Sequence, residues 1–104
     1  MSNVIFLNAH QKPTRPVPLW REVVGEQLRV ERQAQEKRLT DVAERSGVSQ
    51  QYLSEVERGV KEPSSEILHA ISGALDLEIP DLARQAADRM ERNLTNGNAL
   101  LFAA

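Results

Sequence analysis

The segment "VAERSGVSQQYLSEVERG", residues 42–59, restricts the fold more than any other part of the chain. Amphipathic helical patterns lie on either side of Gly47, Val48 and Ser49, and the few residues between them allow only a tight turn. Gly47 suits a left-handed stop for the first helix, and Ser49 is a favourable N-cap for the second. Val48 is expected to pin the turn into the core. Two helices joined by so short a turn cross steeply, so the second holds one face away from the body of the protein.

The remaining periodicity is also helical, and strand-forming runs are scarce. The spacing predicts an all-α fold of five helices. The first runs from about Leu19 to Glu36, with Trp20, Val23, Val24 and Leu28 on its inner side and Ala34 a further small residue there. Gly25 lowers its helix propensity unless a neighbour packs closely at that point. The second spans about Leu39 to Ser46, with Leu39, Val42 and Ala43 inward, and the third about Gln50 to Arg58, closed by Gly59. In "KEPSSEILHAISGALDLEIP" a fourth helix follows Pro63, capped by Ser64 or Ser65, with Ile67, Leu68, Ile71, Ala74 and Leu75 inward. Pro80 and Asp81 suit the first turn of a fifth helix, along which Leu82, Ala83, Ala86, Met90 and Leu94 share a side. Pro13, Pro16 and Pro18 disfavour helix before Leu19. The expected organisation is a flexible, mildly basic arm over 1–18, a helical domain over 19–80, a C-terminal helix over 81–94, and a flexible tail over 95–104.

On a wheel of about 100° per residue, Tyr52, Leu53 and Val56 of the third helix point inward. Gln50, Gln51, Ser54 and Arg58 point outward, with Glu55 at the margin. Amides, a hydroxyl and a guanidinium are the groups that read base edges: Gln pairs with adenine and Arg with guanine, each through two hydrogen bonds. A steep turn that projects such a face suits entry into a major groove. Double-stranded DNA is therefore the expected partner. The net charge of −2 runs against this, since many DNA-binding domains are basic, but phosphate contact needs positive charge on one face only.

These residues resemble the Cro/repressor-type, or XRE-like, helix-turn-helix family from about Val24 to Leu82. The resemblance is carried by "VGEQLRVERQ", "DVAERSGVSQQYLSEVERG" and "EPSSEILHAISGALDLEI", where Ala43, Gly47, Val48, Leu53, Val56 and Gly59 agree together. It implies a repressor-like domain with base contacts from Gln50, Gln51, Ser54 and Glu55. Phosphate contacts would come from the Leu39–Thr40 backbone, Arg58 and Lys61, joined in the candidate set by Arg38 and Ser49. Arg32 and Glu57 match an Arg–Glu pair that orients the reading helix in that family. Arg38 stands where the family usually has a Thr or Ser cap, so the cap of the second helix departs from the pattern. Glu55 has two readings, acceptor for a cytosine amino group or solvated side chain. The stretch "YLSEVERGVKEPSSEIL" looks like that of the actinobacterial Clp-protease gene regulators (the ClgR group). That likeness implies a transcriptional activator of Clp protease and related stress genes, with RNA polymerase and a Clp-type protease as further partners.

The stripe of Leu82, Ala86, Met90 and Leu94 is longer than a small domain needs, and predicts a homodimer on a palindromic operator. Packing on the chain's own first helix is the competing account. The terminal "ALLFAA" resembles tags recognised by Clp-type unfoldases. Leu101, Phe102, Ala103 and Ala104 are thus either a degradation signal or a remnant without one.

No Ser-His-Asp set, glycine-rich phosphate loop or metal-ligand spacing is present, and no enzyme activity, cofactor or metal is expected. His69 stands alone on the fourth helix. The absence of cysteine fits a reducing cytoplasm, and no apolar run approaches a membrane span or a signal peptide. Two classes of function remain. One is a sequence-specific transcriptional regulator. The other is a protein-interaction module of the same fold, such as an antitoxin or adaptor.

Overall fold

A computed structural model describes the backbone of residues 17–103 and the side chains of residues 17–94. The described chain is all-helical: α1 is Trp20–Ala34, α2 Leu39–Ser46, α3 Gln50–Glu57, α4 Ser65–Ala74 and α5 Ile79–Ala103. Two of the starts have a serine as their local cause. The Ser49 hydroxyl accepts the Tyr52 N–H at 3.0 Å and the Ser64 hydroxyl accepts the Ile67 N–H at 3.2 Å, so both serines are working N-caps. Between α2 and α3, Gly47 adopts φ 77°, the left-handed stop that the turn demands.

Val23, Val24 and Leu28 of α1 meet Val42 and Ala43 of α2, Leu53 and Val56 of α3, Ile71, Ala74 and Leu75 around the end of α4, and Leu82 and Ala86 of α5. α1 packs on α3 and α5, while α2 packs on α3 and α4. Leu39, Val48, Tyr52, Ile67, Leu68, Leu77 and Met90 close the cluster from the rim. Each fully buried Leu or Ile here contributes about 1.5–3 kcal/mol.

Polar side chains fasten α4 to the α1–α2 connection. The C-terminal carbonyls of a helix lack intrahelical donors. Here the Leu75 carbonyl accepts from Gln35 Nε2 at 2.8 Å, and that of Ala74 accepts from Lys37 Nζ at 3.1 Å and Arg45 Nη1 at 3.3 Å. Two of these donors are cationic, which suits the negative end of the helix dipole.

Several expectations are corrected. α1 ends at Ala34 rather than Glu36, because Glu36 turns left-handed (φ 56°) and the Lys37 N–H reaches back to the Arg32 carbonyl at 3.0 Å. Trp20 and Ala34 are exposed, not inward, and so is Ala83. The largest correction concerns α5. Leu82 and Ala86 are 2% and 0% exposed, sealed against α1 within the chain, so they have no free surface for a second copy. Met90 is half-buried and Leu94 is exposed. The helix also runs on to Ala103 in place of the tail expected from Thr95. Thr95, Asn96, Gly97 and Asn98 lower helix propensity without blocking it, as a proline would, and Ala99, Leu100 and Leu101 favour its continuation. The side chains proposed as a degradation signal, Leu101, Phe102, Ala103 and Ala104, lie outside the described side chains, and residues 1–16 of the arm lie outside the described chain.

Candidate nucleic-acid interface

The outward face of α3 follows from what its inward face buries. Leu53 and Val56 are 0% and 1% exposed, and Tyr52 packs against the same core. With that side fixed, Gln50, Gln51 and Arg58 are exposed, while Ser54 and Glu55 are half-buried along the flank. Two amides therefore stand exposed beside the α2–α3 turn, and a guanidinium at the far end of α3, where Arg58 Nε lies 3.4 Å from the Ser54 carbonyl. Thr40 and Arg38 are exposed at the start of α2, and Lys61 is exposed just beyond α3. Ser49 sits at the leading end of α3 with its hydroxyl engaged in the cap.

The unusual cap at Arg38 is resolved by its neighbour. Asp41 Oδ2 accepts the Arg38 backbone N–H at 3.1 Å, so the carboxylate of the third helical residue satisfies the amide at the helix start. The same oxygen lies 3.4 Å from Arg38 Nε. These two hydrogen bonds, the backbone one foremost, hold the Asp41 carboxyl below its ordinary range. A carboxyl lowered by folding stabilises fully above the ordinary aspartate range, and that contribution disappears as pH falls through the lowered value. Asp41→Asn is thus expected to melt below the parent protein at neutral pH. The gap in Tm, followed by circular dichroism, should narrow as pH falls below the ordinary aspartate range.

Arg32 and Glu57 form a two-pronged pair between α1 and the last turn of α3. Arg32 Nε lies 2.7 Å from Glu57 Oε2, and Nη2 lies 3.0 Å from Oε1. The third guanidinium nitrogen donates to the Lys37 carbonyl at 2.9 Å. The side chains are only 14% and 5% exposed. Hydrogen bonding to Glu57 raises the Arg32 pKa above its ordinary value against the opposing cost of burial. The guanidinium therefore stays charged at neutral pH, and the pair ties α3 to α1.

Gly25 is the second tie. A Cβ there would overlap the Val56 carbonyl oxygen and stand 2.9 Å from that of Glu57. The glycine is what allows α1 and the end of α3 to approach backbone to backbone.

Sequence reasoning missed a third set of contacts. Gln27, 6% exposed, donates from Nε2 to Gln85 Oε1 at 3.1 Å, and its Oε1 accepts from Arg89 Nε and Nη2 at 3.1 and 2.9 Å. These bonds fasten α5 to α1. The available signal was a glutamine inside the Val23, Val24, Leu28 stripe, a polar residue at a core position that needs partners.

The geometry has a counterpart among known proteins. A helix-turn-helix family model matches residues 28–82, more than half of the chain. The chain belongs to this helix-turn-helix family, in its XRE-like branch. Over 74 residues it is 50% identical to the transcriptional regulator ClgR of Mycobacterium tuberculosis, a match covering 71% of this chain and 66% of that protein. The chain thus spans a little under two thirds of that relative's length. The crystal structure of the clp gene regulator ClgR from Corynebacterium glutamicum superposes with a TM-score of 0.80 at 39% identity, covering 84% of this chain and 93% of that one. The restriction-modification controller protein C.AhdI from Aeromonas hydrophila superposes at 0.58 and 31% identity, covering 60% and 94%. The fold is therefore that of helix-turn-helix regulators, with α2 and α3 as the helix pair.

Proposed function

We propose that this chain is a sequence-specific DNA-binding transcriptional regulator that activates genes of the Clp protease system. The observation that carries the reading is the exposed ridge of Gln50, Gln51 and Arg58, held at a fixed pitch by the buried Leu53 and Val56 and by the Arg32–Glu57 pair. A face of amides and guanidinium suits base edges better than a protein partner, whose docking surfaces are enriched in aromatic and apolar groups. In this reading Gln50, Gln51, Ser54 and Glu55 face bases. Arg38, Thr40, Ser49, Arg58 and Lys61 face phosphates. The Clp target genes follow from the likeness to the two ClgR proteins. Activation makes RNA polymerase a partner and places the work in the cytoplasm.

A homodimer on a palindromic operator completes the proposal. Support comes from α5, a 25-residue helix of about 37 Å that continues past its last core contact with Leu94 exposed. Pairing through that distal part would set two reading helices about 34 Å apart, one helical turn of DNA.

Selection of bound sites from random duplexes tests the binding, the sequence preference and the two-fold symmetry together. On the selected operator, Gln51→Ala is expected to cost about 1–3 kcal/mol while leaving affinity for random duplex almost unchanged. Titration with salt separates this reading from a protein-interaction module, because affinity for DNA falls steeply as bulk salt rises and the entropic gain from releasing condensed counterions shrinks. An equal loss on both duplexes would remove Gln51 from the base-reading set.

A further inference from the structure

The exit turn of α3 carries two of the three cations assigned to phosphate, Arg58 one residue before Gly59 and Lys61 two residues after it. Such a turn in a short loop is ordinarily held only by its own backbone. Here the Gly59 N–H reaches the Val56 carbonyl at 3.0 Å and the Val60 N–H reaches that of Glu55 at 2.9 Å. A further bond comes from far away in sequence. Arg21 Nε, on the first turn of α1, donates to the Gly59 carbonyl at 2.9 Å across 38 residues. Gly59 is buried at φ 77°, and a Cβ on it would lie 2.9 Å from the Glu22 Cα. The start of α1 and the exit of α3 are therefore clamped by one charge-assisted hydrogen bond and one backbone approach that only glycine permits.

We propose that Arg21 is a positioning residue for phosphate binding: it fixes the exit turn of the reading helix so that Arg58 and Lys61 meet the DNA backbone from a rigid platform. The inference rests on the DNA-binding reading above. Its physical basis is pre-organisation, since a cation already held in place loses less side-chain and loop freedom on binding. Arg21 acts through Gly59, and the contacts themselves belong to Arg58 and Lys61.

The test is a thermodynamic cycle with the selected operator and a random duplex, read by fluorescence anisotropy on folded, full-length protein. In the parent background, Arg21→Ala is expected to weaken binding to both duplexes about ten-fold. In an Arg58→Ala, Lys61→Ala background the same change should cost less than about two-fold, because the groups it positions are gone. Equal losses in the two backgrounds overturn the proposal, as Arg21 would then act on DNA or on the whole fold independently. Hydrogen exchange in the free protein gives a second reading. The Val60 and Lys61 amides should exchange faster in Arg21→Ala while those of α2 are unaltered, and unchanged exchange at both also overturns it. Should Arg21→Ala fail to fold, Arg21→Met, which keeps the length of the side chain and removes the N–H donor, carries the same cycle. A parent protein that binds no duplex sinks the DNA-binding reading itself and this inference with it, an outcome visible before any variant is made.

Discussion

Glu57→Ala is expected to destabilise the protein by about 3–5 kcal/mol, a loss measurable as a shifted urea midpoint at unchanged m-value. The magnitude comes from what is left behind. Arg32 is 14% exposed and gives two of its guanidinium nitrogens to Glu57 at 2.7 and 3.0 Å. Without the carboxylate, a largely shielded positive charge is left with only the Lys37 carbonyl as hydrogen-bond partner. A domain of this size has about 5–15 kcal/mol in all, so the variant approaches the limit of folding. Removing both charges is a different experiment. Replacing the pair together, Arg32→Met with Glu57→Leu, should recover most of the stability, because it restores apolar packing and leaves no unpaired ion. If the pair orients α3 as proposed, that double variant folds yet discriminates its operator from random duplex less well than the parent. A double variant as unstable as Glu57→Ala would show that the loss comes from packing rather than from an orphaned charge.

Gly25→Ala is expected to cost about 2–3 kcal/mol, although alanine is the better helix former. Two effects compete. Propensity favours alanine by about 1 kcal/mol in a helix interior. Against it, the new methyl overlaps the Val56 carbonyl oxygen and crowds the Glu57 carbonyl at 2.9 Å. Both obstacles are backbone atoms, which cannot swing aside as a flexible side chain would, so overpacking wins. Relief requires the last turn of α3 to move away from α1, which also lengthens the Arg32–Glu57 bonds. The expected signature is a lowered Tm together with a larger loss of affinity for operator than for random duplex. A Gly25→Ala protein more stable than its parent would mean that the approach of the two helices is looser than described.

The legibility of the site in the sequence varied with the range of the interactions. Ser49 and Ser64 were readable as caps because a cap is decided within three residues. The orientation of α3 was readable because alternation of Tyr52, Leu53 and Val56 with Gln50, Gln51 and Arg58 is a local periodicity. Arg38 was harder. Its position lacks a capping side chain, and the compensating Asp41 was visible only as an acidic residue at the third helical position. Arg21, Gln27 and Arg89 were not legible, since nothing near them in the sequence marks a partner 38, 58 or 62 residues away.

By itself the sequence determined that the chain is helical, where α2 turns into α3, and which side chains α3 holds outward. All of these follow from hydrophobic period, glycine stops and serine caps, whose forces act within a turn or two of helix. Tertiary structure alone decided which half of the α5 stripe is free. Leu82 and Ala86 carry the same apolar signal as Leu94, yet they are sealed against α1 while Leu94 remains exposed. A periodic stripe states that a face will leave water; only the packed neighbours state against what. The same holds for the clamps at Gly25, Gly59 and Arg32, where backbone or a carboxylate from far along the chain comes close enough to turn ordinary residues into fixed points against α3.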